Sequence, residues 1–138
     1  MDVPWRRVPG GTAPPPWPHG DWADSGVAEP SARDLASVVG GRPTLLVVYA
    51  PWCGHCRRAS PEVARLARYV RAHNELHGTR YRVSALRGDA PPENREVAAR
   101  LGVASYPALD EAFPASPPQE YDGERDAPSL WDALRTLG

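Results

Sequence analysis

The chain has 138 residues, a formal net charge of −1 and two cysteines. This length leaves room for one domain with a sizeable core, and the near-neutral charge gives no reason to expect attraction to nucleic acid or to a membrane surface. No apolar stretch approaches the ~18–20 residues that are needed to span a bilayer.

The first 30 residues differ in composition from the rest of the chain. Proline and glycine are frequent there and aliphatic residues are few, so this segment cannot form a core. It also lacks the hydrophobic region of a secretory signal peptide. We therefore predict a flexible leader over residues 1–30 and one domain over residues 31–138. The alternative for Pro14–Pro18 is a polyproline II segment that docks in an aromatic groove.

The first part of the domain predicts a short helix, a buried strand and a long helix. Ser31 can cap a helix over Ser31–Val39, and Thr44–Tyr49 is continuously apolar, as in a central strand that is buried on both faces. The long helix runs from Cys53 to about Ala72, and Pro61 predicts a kink in it. Its inward face is an apolar stripe at i, i+3, i+4 and i+7, formed by Val63, Leu66, Ala67 and Val70.

The second part of the domain continues the alternation of strands and helices, which indicates an α/β sheet. In a predicted strand over Tyr81–Leu86, the apolar residues alternate with Arg82 and Ser84. Asp110 and Glu111, with the prolines that follow them, predict a short or irregular edge of the sheet. The remaining predicted elements are a helix, two weak strands and a last helix, over Pro92–Leu101, Ala108–Phe113, Gln119–Tyr121 and Pro128–Leu137.

The two cysteines are separated by two residues and directly follow the apolar strand. A disulfide requires Cα atoms within about 4.4–6.8 Å, and one helical turn brings positions i and i+3 to about that separation. At the start of a helix, free N–H groups and the positive end of the dipole stabilise a thiolate. This lowers the pKa of Cys53 and makes it the attacking sulfur, whereas Cys56, one turn deeper, is predicted to be the resolving thiol.

One of the two residues between the cysteines, His55, is predicted to tune this pair. His55 can carry a positive charge or donate a hydrogen bond toward Cys53, either of which favours the thiolate. A dithiol whose reduced form is stabilised is the stronger oxidant, so His55 argues for an oxidising pair. The alternative is that His55 only caps the helix and faces water.

Four segments together resemble the catalytic, a-type domain of protein disulfide isomerases, within the thioredoxin superfamily. Residues 49–56 resemble the active-site octapeptide, and residues 56–62 resemble the helix that follows it. Residues 103–107 resemble the segment that carries the cis-proline of the family, and residues 120–125 its last strand and the arginine after it. The resemblance covers residues 31–138 and implies a thioredoxin-like fold, a central mixed β-sheet flanked by helices with a weak C-terminal hairpin edge.

The resemblance also implies roles for residues around the cysteines. Arg125 would lower the pKa of Cys56, although a surface ion pair is the alternative. A buried acid in the family relays the proton of the deeper thiol, but Val47 occupies that position here. We therefore expect a slower resolving step and long-lived mixed disulfides, which the substitution Val47→Glu would shorten. The residues implied to contact an extended peptide substrate are Trp52, Gly54, Ser105, Tyr106 and Pro107.

Three functions from different classes follow from these observations. The leading prediction is a single-domain thiol–disulfide oxidoreductase, similar also to the thioredoxin-like half of quiescin-type sulfhydryl oxidases. The second is a zinc module, because Cys53, Cys56, His73 and His77 have the spacing C-x2-C-x16-H-x3-H. The third is a non-catalytic thioredoxin-like protein that holds partners.

The enzyme prediction carries further expectations about partners and compartment. The resemblance implies thiol- or disulfide-containing protein substrates, a redox partner that recycles the pair, no cofactor and a monomer. It also implies the endoplasmic reticulum or another secretory lumen, although neither a signal peptide nor a retention signal is present in the sequence. Substrate identity, compartment and the direction of electron flow stay open.

Overall fold

The computed structural model describes residues 25–35, 42–104, 106–112 and 119–137. The predictions for residues 1–24 lie outside this part of the chain. Within it, none of the helices has the length and hydrophobicity that a membrane span requires. The elements in chain order are β1 (Thr44–Tyr49), α1 (Gly54–His77), β2 (Arg82–Arg87), α2 (Pro92–Arg100), β3 (Ala108–Ala112), β4 (Gln119–Glu120) and α3 (Ala127–Arg135).

The strands form one mixed sheet in the order β2-β1-β3-β4. β1 pairs parallel with β2 and antiparallel with β3, and β4 pairs antiparallel with β3. Every residue of β1 is buried, because this strand has a neighbour on each side and helices over both faces. Residues from α1 and α3 pack on one face, and residues from α2 pack on the other. The prediction of a central buried strand is confirmed.

Helix α1 extends beyond the predicted end at Ala72. The predicted apolar stripe is confirmed, since all four of its residues are buried, and Pro61 lies inside the helix. The helix ends where Gly78 adopts a left-handed conformation with φ 66° and its N–H bonds to the carbonyl of Asn74, a common helix terminus. The last turn is polar in sequence, but His73 packs against Trp131 with ring centres 4.8 Å apart, a contact that periodicity alone does not reveal.

Strand β2 departs from the predicted alternation. Ser84 was expected on the polar side but is fully buried. The reason is that both faces of this strand are covered: Leu86, on the same face as Ser84, packs in the core cluster that contains Ala98 of α2. At the outer edge of β2, Ala28 forms a parallel bridge with Ser84, and the Ala28 carbonyl accepts a hydrogen bond from the N–H of Ala85. The segment around Ala28, which composition assigns to the leader, thus covers the outer edge of β2.

The C-terminal edge is short, as predicted. β4 has two residues, and β3 pairs along β1 up to the register Thr44 with Ala112, so the acidic residues of β3 do not prevent pairing. In α3, Asp126 caps the helix by accepting a hydrogen bond from the N–H of Ser129. At the other end of the domain, Ser31 accepts from the N–H of Asp34, but residues 36–39 of the predicted helix lie outside the described residues.

Candidate active site

The two cysteines lie at the junction between β1 and α1. Cys53 is the N-cap residue of α1 with extended backbone angles, and its carbonyl accepts a hydrogen bond from the N–H of Arg57. Both thiols are free. Cys53 is 9% exposed and Cys56, in the first helical turn, is 1% exposed. The strand therefore delivers one sulfur to the rim of the site and the helix holds the other beneath it.

The pKa of the Cys53 thiol lies below its ordinary value. Burial raises this pKa, but hydrogen bonds from the Cys56 amide, the Cys56 thiol and the His55 amide lower it, as does the charge of Arg58. These amides belong to the first turn of α1, where N–H groups have no helical partner. The direction is the one that the sequence predicts for the attacking sulfur.

The pKa of the Cys56 thiol is raised to about 12. Burial is the largest cause, and the hydrogen bond and charge of Cys53 add to it. The amide of Ala50 and the charge of Arg125 act in the opposite direction and are outweighed. Cys56 therefore holds its proton near neutral pH, which suits a thiol that acts second.

The cation beside Cys53 is Arg58, a residue that the sequence analysis did not single out. Its Nη2 lies 2.7 Å from Nδ1 of His55. A guanidinium can only donate, so Nδ1 of His55 is the acceptor in this contact. Arg58 also covers the turn, since a Cβ on Gly54 would lie 3.8 Å from its Nη1. His55 reaches Cys53 through its backbone amide, and its predicted side-chain role stays a prediction.

The loop around Tyr106 lies beside the attacking sulfur. The Cys53 thiol donates a hydrogen bond to the Tyr106 carbonyl at 3.4 Å. The Tyr106–Pro107 bond is cis, as the resemblance implies, and Pro107 is buried. Ser105, which was also predicted to contact substrate, lies outside the described residues.

Trp52 is 65% exposed next to this loop. Its ring meets that of Tyr106 edge-on, with centres 5.8 Å apart, and its Nε1–H donates to Asp89 at 2.8 Å. Asp89 in turn pairs with Arg87 at 2.7 Å, and the Arg87 bond is the largest cause that lowers the pKa of Asp89. Asp89 thus orients Trp52, a role without a local sequence signal because 37 residues separate the two.

The sequence did contain a signal for Arg58, which is its i, i+3 spacing from His55 on one helix.

The remaining predicted site residues lie around Cys56. Arg125 is exposed, and its charge acts on the Cys56 thiol. The loop before it is held by the Tyr121 hydroxyl, which donates to the Glu124 carbonyl. Val47 is buried in the same core cluster as Cys56, so an aliphatic side chain occupies the position where the resemblance expects an acid.

The structure contradicts the four-residue zinc module. His73 lies 17 residues after Cys56 in one continuous helix, a separation of roughly 26 Å at the ~1.5 Å rise per residue of an α-helix. Among the described residues, no group of three or more His, Cys, Asp or Glu side chains is arranged to hold a metal ion. The finger-like spacing failed because it assumed a turn between the two pairs, where the chain is helical throughout.

Comparison with known proteins identifies the family of this chain. The thioredoxin family matches residues 31–136. Protein disulfide-isomerase A2 of Homo sapiens is 32% identical over 137 residues, which cover 96% of this chain and 25% of the relative. Protein disulfide-isomerase erp38 of Neurospora crassa is 35% identical over 102 residues, covering 73% of this chain and 26% of the relative. The chain therefore spans about a quarter of the length of these relatives.

Solved structures show the same fold. The J-Trx1 fragment of ERdj5 superposes with a TM-score of 0.68 at 24% identity, over 86% of this chain and 55% of that one. The first thioredoxin domain of mouse protein disulfide-isomerase A4 superposes with a TM-score of 0.68 at 23% identity, over 83% and 76%. Four ordered segments, the mixed sheet and the family match agree. The chain belongs to the thioredoxin family, and the curated relatives that it resembles are protein disulfide isomerases.

Proposed function

We propose that this chain is a dithiol–disulfide oxidoreductase that uses Cys53 and Cys56 on extended peptide substrates. Family membership supports thiol–disulfide oxidoreduction in general. The observation that carries the specific proposal is the opposed behaviour of two thiols in one site: the pKa of Cys53 is lowered and that of Cys56 is raised to about 12. One sulfur is therefore ready to attack while the other keeps its proton.

The proposed reaction proceeds through a mixed disulfide. In the reducing direction the Cys53 thiolate attacks one sulfur of a substrate disulfide, an S–S bond joins Cys53 to the substrate, and the second substrate sulfur leaves and takes a proton from water. Cys56 then loses its proton and attacks Cys53, which closes the protein disulfide and releases the first substrate sulfur as a thiol. The protein loses two electrons and the substrate gains two. The reverse sequence oxidises a substrate dithiol.

The surface beside Cys53 supports a peptide substrate. The Tyr106 carbonyl lies 3.4 Å from the Cys53 sulfur, and a carbonyl at that place can accept a hydrogen bond from the backbone of an extended chain. Pro107 has no N–H to compete for the same contact. Trp52 presents an exposed ring next to the sulfur, which suits an apolar side chain near the substrate cysteine.

The proposal also includes a redox partner and a compartment for the cysteine pair. A reversible dithiol needs a second redox protein to recycle it, and a disulfide product persists best in an oxidising compartment. The resemblance to protein disulfide isomerases favours a secretory lumen such as the endoplasmic reticulum. Because the chain spans about a quarter of these relatives, substrates and partners of the whole relatives enter here as proposals.

The test equilibrates the purified protein across glutathione buffers and counts free thiols by alkylation and mass. We expect one two-electron transition, and its position decides the direction of transfer: about −180 mV corresponds to protein disulfide isomerase and about −270 mV to thioredoxin. The matched variants Cys56→Ser and Cys53→Ser separate the two roles, because only Cys56→Ser should accumulate a mixed disulfide when it is mixed with a peptide that contains a disulfide, releasing the other substrate sulfur as a thiol. The absence of a transition would instead favour a non-catalytic protein that binds partners. The same conclusion would follow if a Cys53→Ser, Cys56→Ser protein kept the full function of the wild type.

A further inference from the structure

A hydrogen-bonded chain at the end of α1 determines the tautomer of His73. It begins at Asn74, whose amide is oriented by the two backbone groups of Tyr81, the residue before β2: Nδ2 donates to the Tyr81 carbonyl at 2.9 Å, and Oδ1 accepts from the Tyr81 N–H at 3.1 Å. Because a carbonyl only accepts and an N–H only donates, this amide cannot be reversed. Oδ1 is therefore an acceptor.

The next member of the chain is Thr79. Its hydroxyl donates to Oδ1 of Asn74 at 2.8 Å, which uses the only hydrogen of the hydroxyl. The Thr79 oxygen also lies 2.9 Å from Nδ1 of His73, so in this contact the oxygen accepts and Nδ1 donates. The proton of the neutral His73 ring is thus on Nδ1, and the lone pair is on Nε2.

A histidine prepared in this way has the outer hydrogen bond of a metal ligand, in which one ring nitrogen donates to a protein oxygen and the other binds the ion. Ring contacts limit its rotation, since the His73 centre lies 4.8 Å from that of Trp131 and 5.8 Å from that of Tyr81.

A second imidazole lies one helical turn further on. His77 is exposed, and its ring centre is 4.5 Å from that of His73 with 47° between the planes. Two imidazoles that bind one ion with metal–nitrogen bonds of about 2.0–2.1 Å bring their ring centres to roughly 4.5–5.3 Å. The observed separation of 4.5 Å lies at the lower end of this range, and the exposed ring of His77 is the one that can rotate.

We propose that His73 and His77 form a binding site for a divalent transition-metal ion of the kind that prefers imidazole, such as Zn²⁺. This site is separate from the thiols and does not depend on the proposed redox function. No third His, Cys, Asp or Glu joins the pair within the part of the chain that the structure describes. Water or an incoming ligand would therefore complete the coordination shell.

The test is a calorimetric titration of the protein with Zn²⁺ at pH 7.5. The Cys53–Cys56 disulfide is closed beforehand so that thiolates cannot bind the ion. We expect one site, an affinity at least tenfold lower in His77→Gln, and unchanged affinity in the matched control His55→Gln. Because His77 is exposed, the variant should fold as the wild type does, which circular dichroism verifies.

A second measurement reads the ligands directly. Nitrogen-15 spectra of the histidine rings should report the Nδ1–H tautomer of His73 in the free protein and a shift of Nε2 in His73 and His77 when Zn²⁺ is added. Substituting Thr79→Val should remove the tautomer preference and weaken binding. Equal affinity in the His77→Gln and His55→Gln variants, or ring signals that Zn²⁺ leaves unmoved, would overturn the proposal.

Discussion

Cys53 and Cys56 are the same type of residue, but their thiol pKa values are shifted in opposite directions. Three positions along the first turn of α1 separate them, and that distance moves a thiol from the free N–H groups at the helix start to a buried position inside the core. At Cys53 the hydrogen bonds of the helix start and the charge of Arg58 together outweigh burial, whereas at Cys56 burial outweighs the Ala50 amide and the charge of Arg125. The difference therefore arises mainly from the position of each thiol along the first turn of the helix.

Arg58 provides a prediction at this scale. Its charge lowers the pKa of Cys53, so Arg58→Gln should raise that pKa and slow alkylation by iodoacetamide at pH 7 by about two- to fivefold, the range expected of an exposed charge. Arg57→Gln is the matched control, because it removes the same charge from an exposed neighbour and should change the rate less. Equal effects of the two variants would show that only net charge matters.

The charge of Arg58 beside Cys53 also predicts how the reactivity of this thiol depends on pH. A guanidinium stays protonated throughout the working range, so its support of the Cys53 thiolate does not fade between pH 6 and 8 as the support of an imidazolium would. The alkylation profile of the wild type should therefore follow one titration, that of Cys53.

Gly88, directly after β2, lies close to Val48 of β1 and to the loop that contains Tyr106. A Cβ on Gly88 would lie 2.6 Å from Cγ1 of Val48 and 2.8 Å from Cε1 of Tyr106. Val48 is fully buried and cannot give way, so Tyr106 must. Its ring contacts Trp52 and its carbonyl contacts Cys53, so the packing of one glycine determines the geometry of the site.

Gly88→Ala should therefore slow the reaction of Cys53 with a peptide disulfide several-fold and cost about 1–3 kcal/mol of stability through overpacking. Gly78→Ala is the matched control: it has open space but a φ of 66°, so it should cost about 1–2 kcal/mol without changing the rate. Stopped-flow kinetics and urea unfolding measure the two effects. A rate loss in Gly78→Ala as large as that in Gly88→Ala would attribute the effect to stability alone.

The whole molecule links redox state to stability through Cys56. This thiol has an ordinary pKa of 9.0 and a pKa of about 12 in the folded protein. Between these values the unfolded chain releases a proton that the folded chain retains, so stability falls as pH rises. Cys53 has the opposite shift, and its contribution is lost when pH falls, so it does not add to the alkaline loss.

The dithiol protein should therefore lose more unfolding free energy between pH 8 and pH 10.5 than the disulfide protein, which has no thiol to titrate. Urea unfolding of both forms measures the difference. The pKa of Tyr49 is also raised, mainly by burial, but Tyr49 is present in both forms and its effect cancels in the comparison. An equal loss of unfolding free energy in the two forms would contradict the raised pKa of Cys56 in the folded protein.

Local sequence was sufficient for the features that depend on neighbours along the chain. The apolar run of β1, the stripe of α1 and the close approach of the two cysteines at their junction were all predicted, because each follows from periodicity or from spacing within one turn. Ordered segments of resemblance supplied the fold and the cis bond before Pro107. The short β4 edge followed from the prolines around it.

The tertiary structure decided what depends on distant residues. It buried Ser84 on the covered second face of β2, paired the edge of that strand with Ala28, and used Asp89 to orient Trp52. It also separated the two halves of a zinc-like spacing along one continuous helix. Sequence patterns record which faces are apolar, whereas side-chain partners far apart in the chain meet only when the sheet and helices have packed.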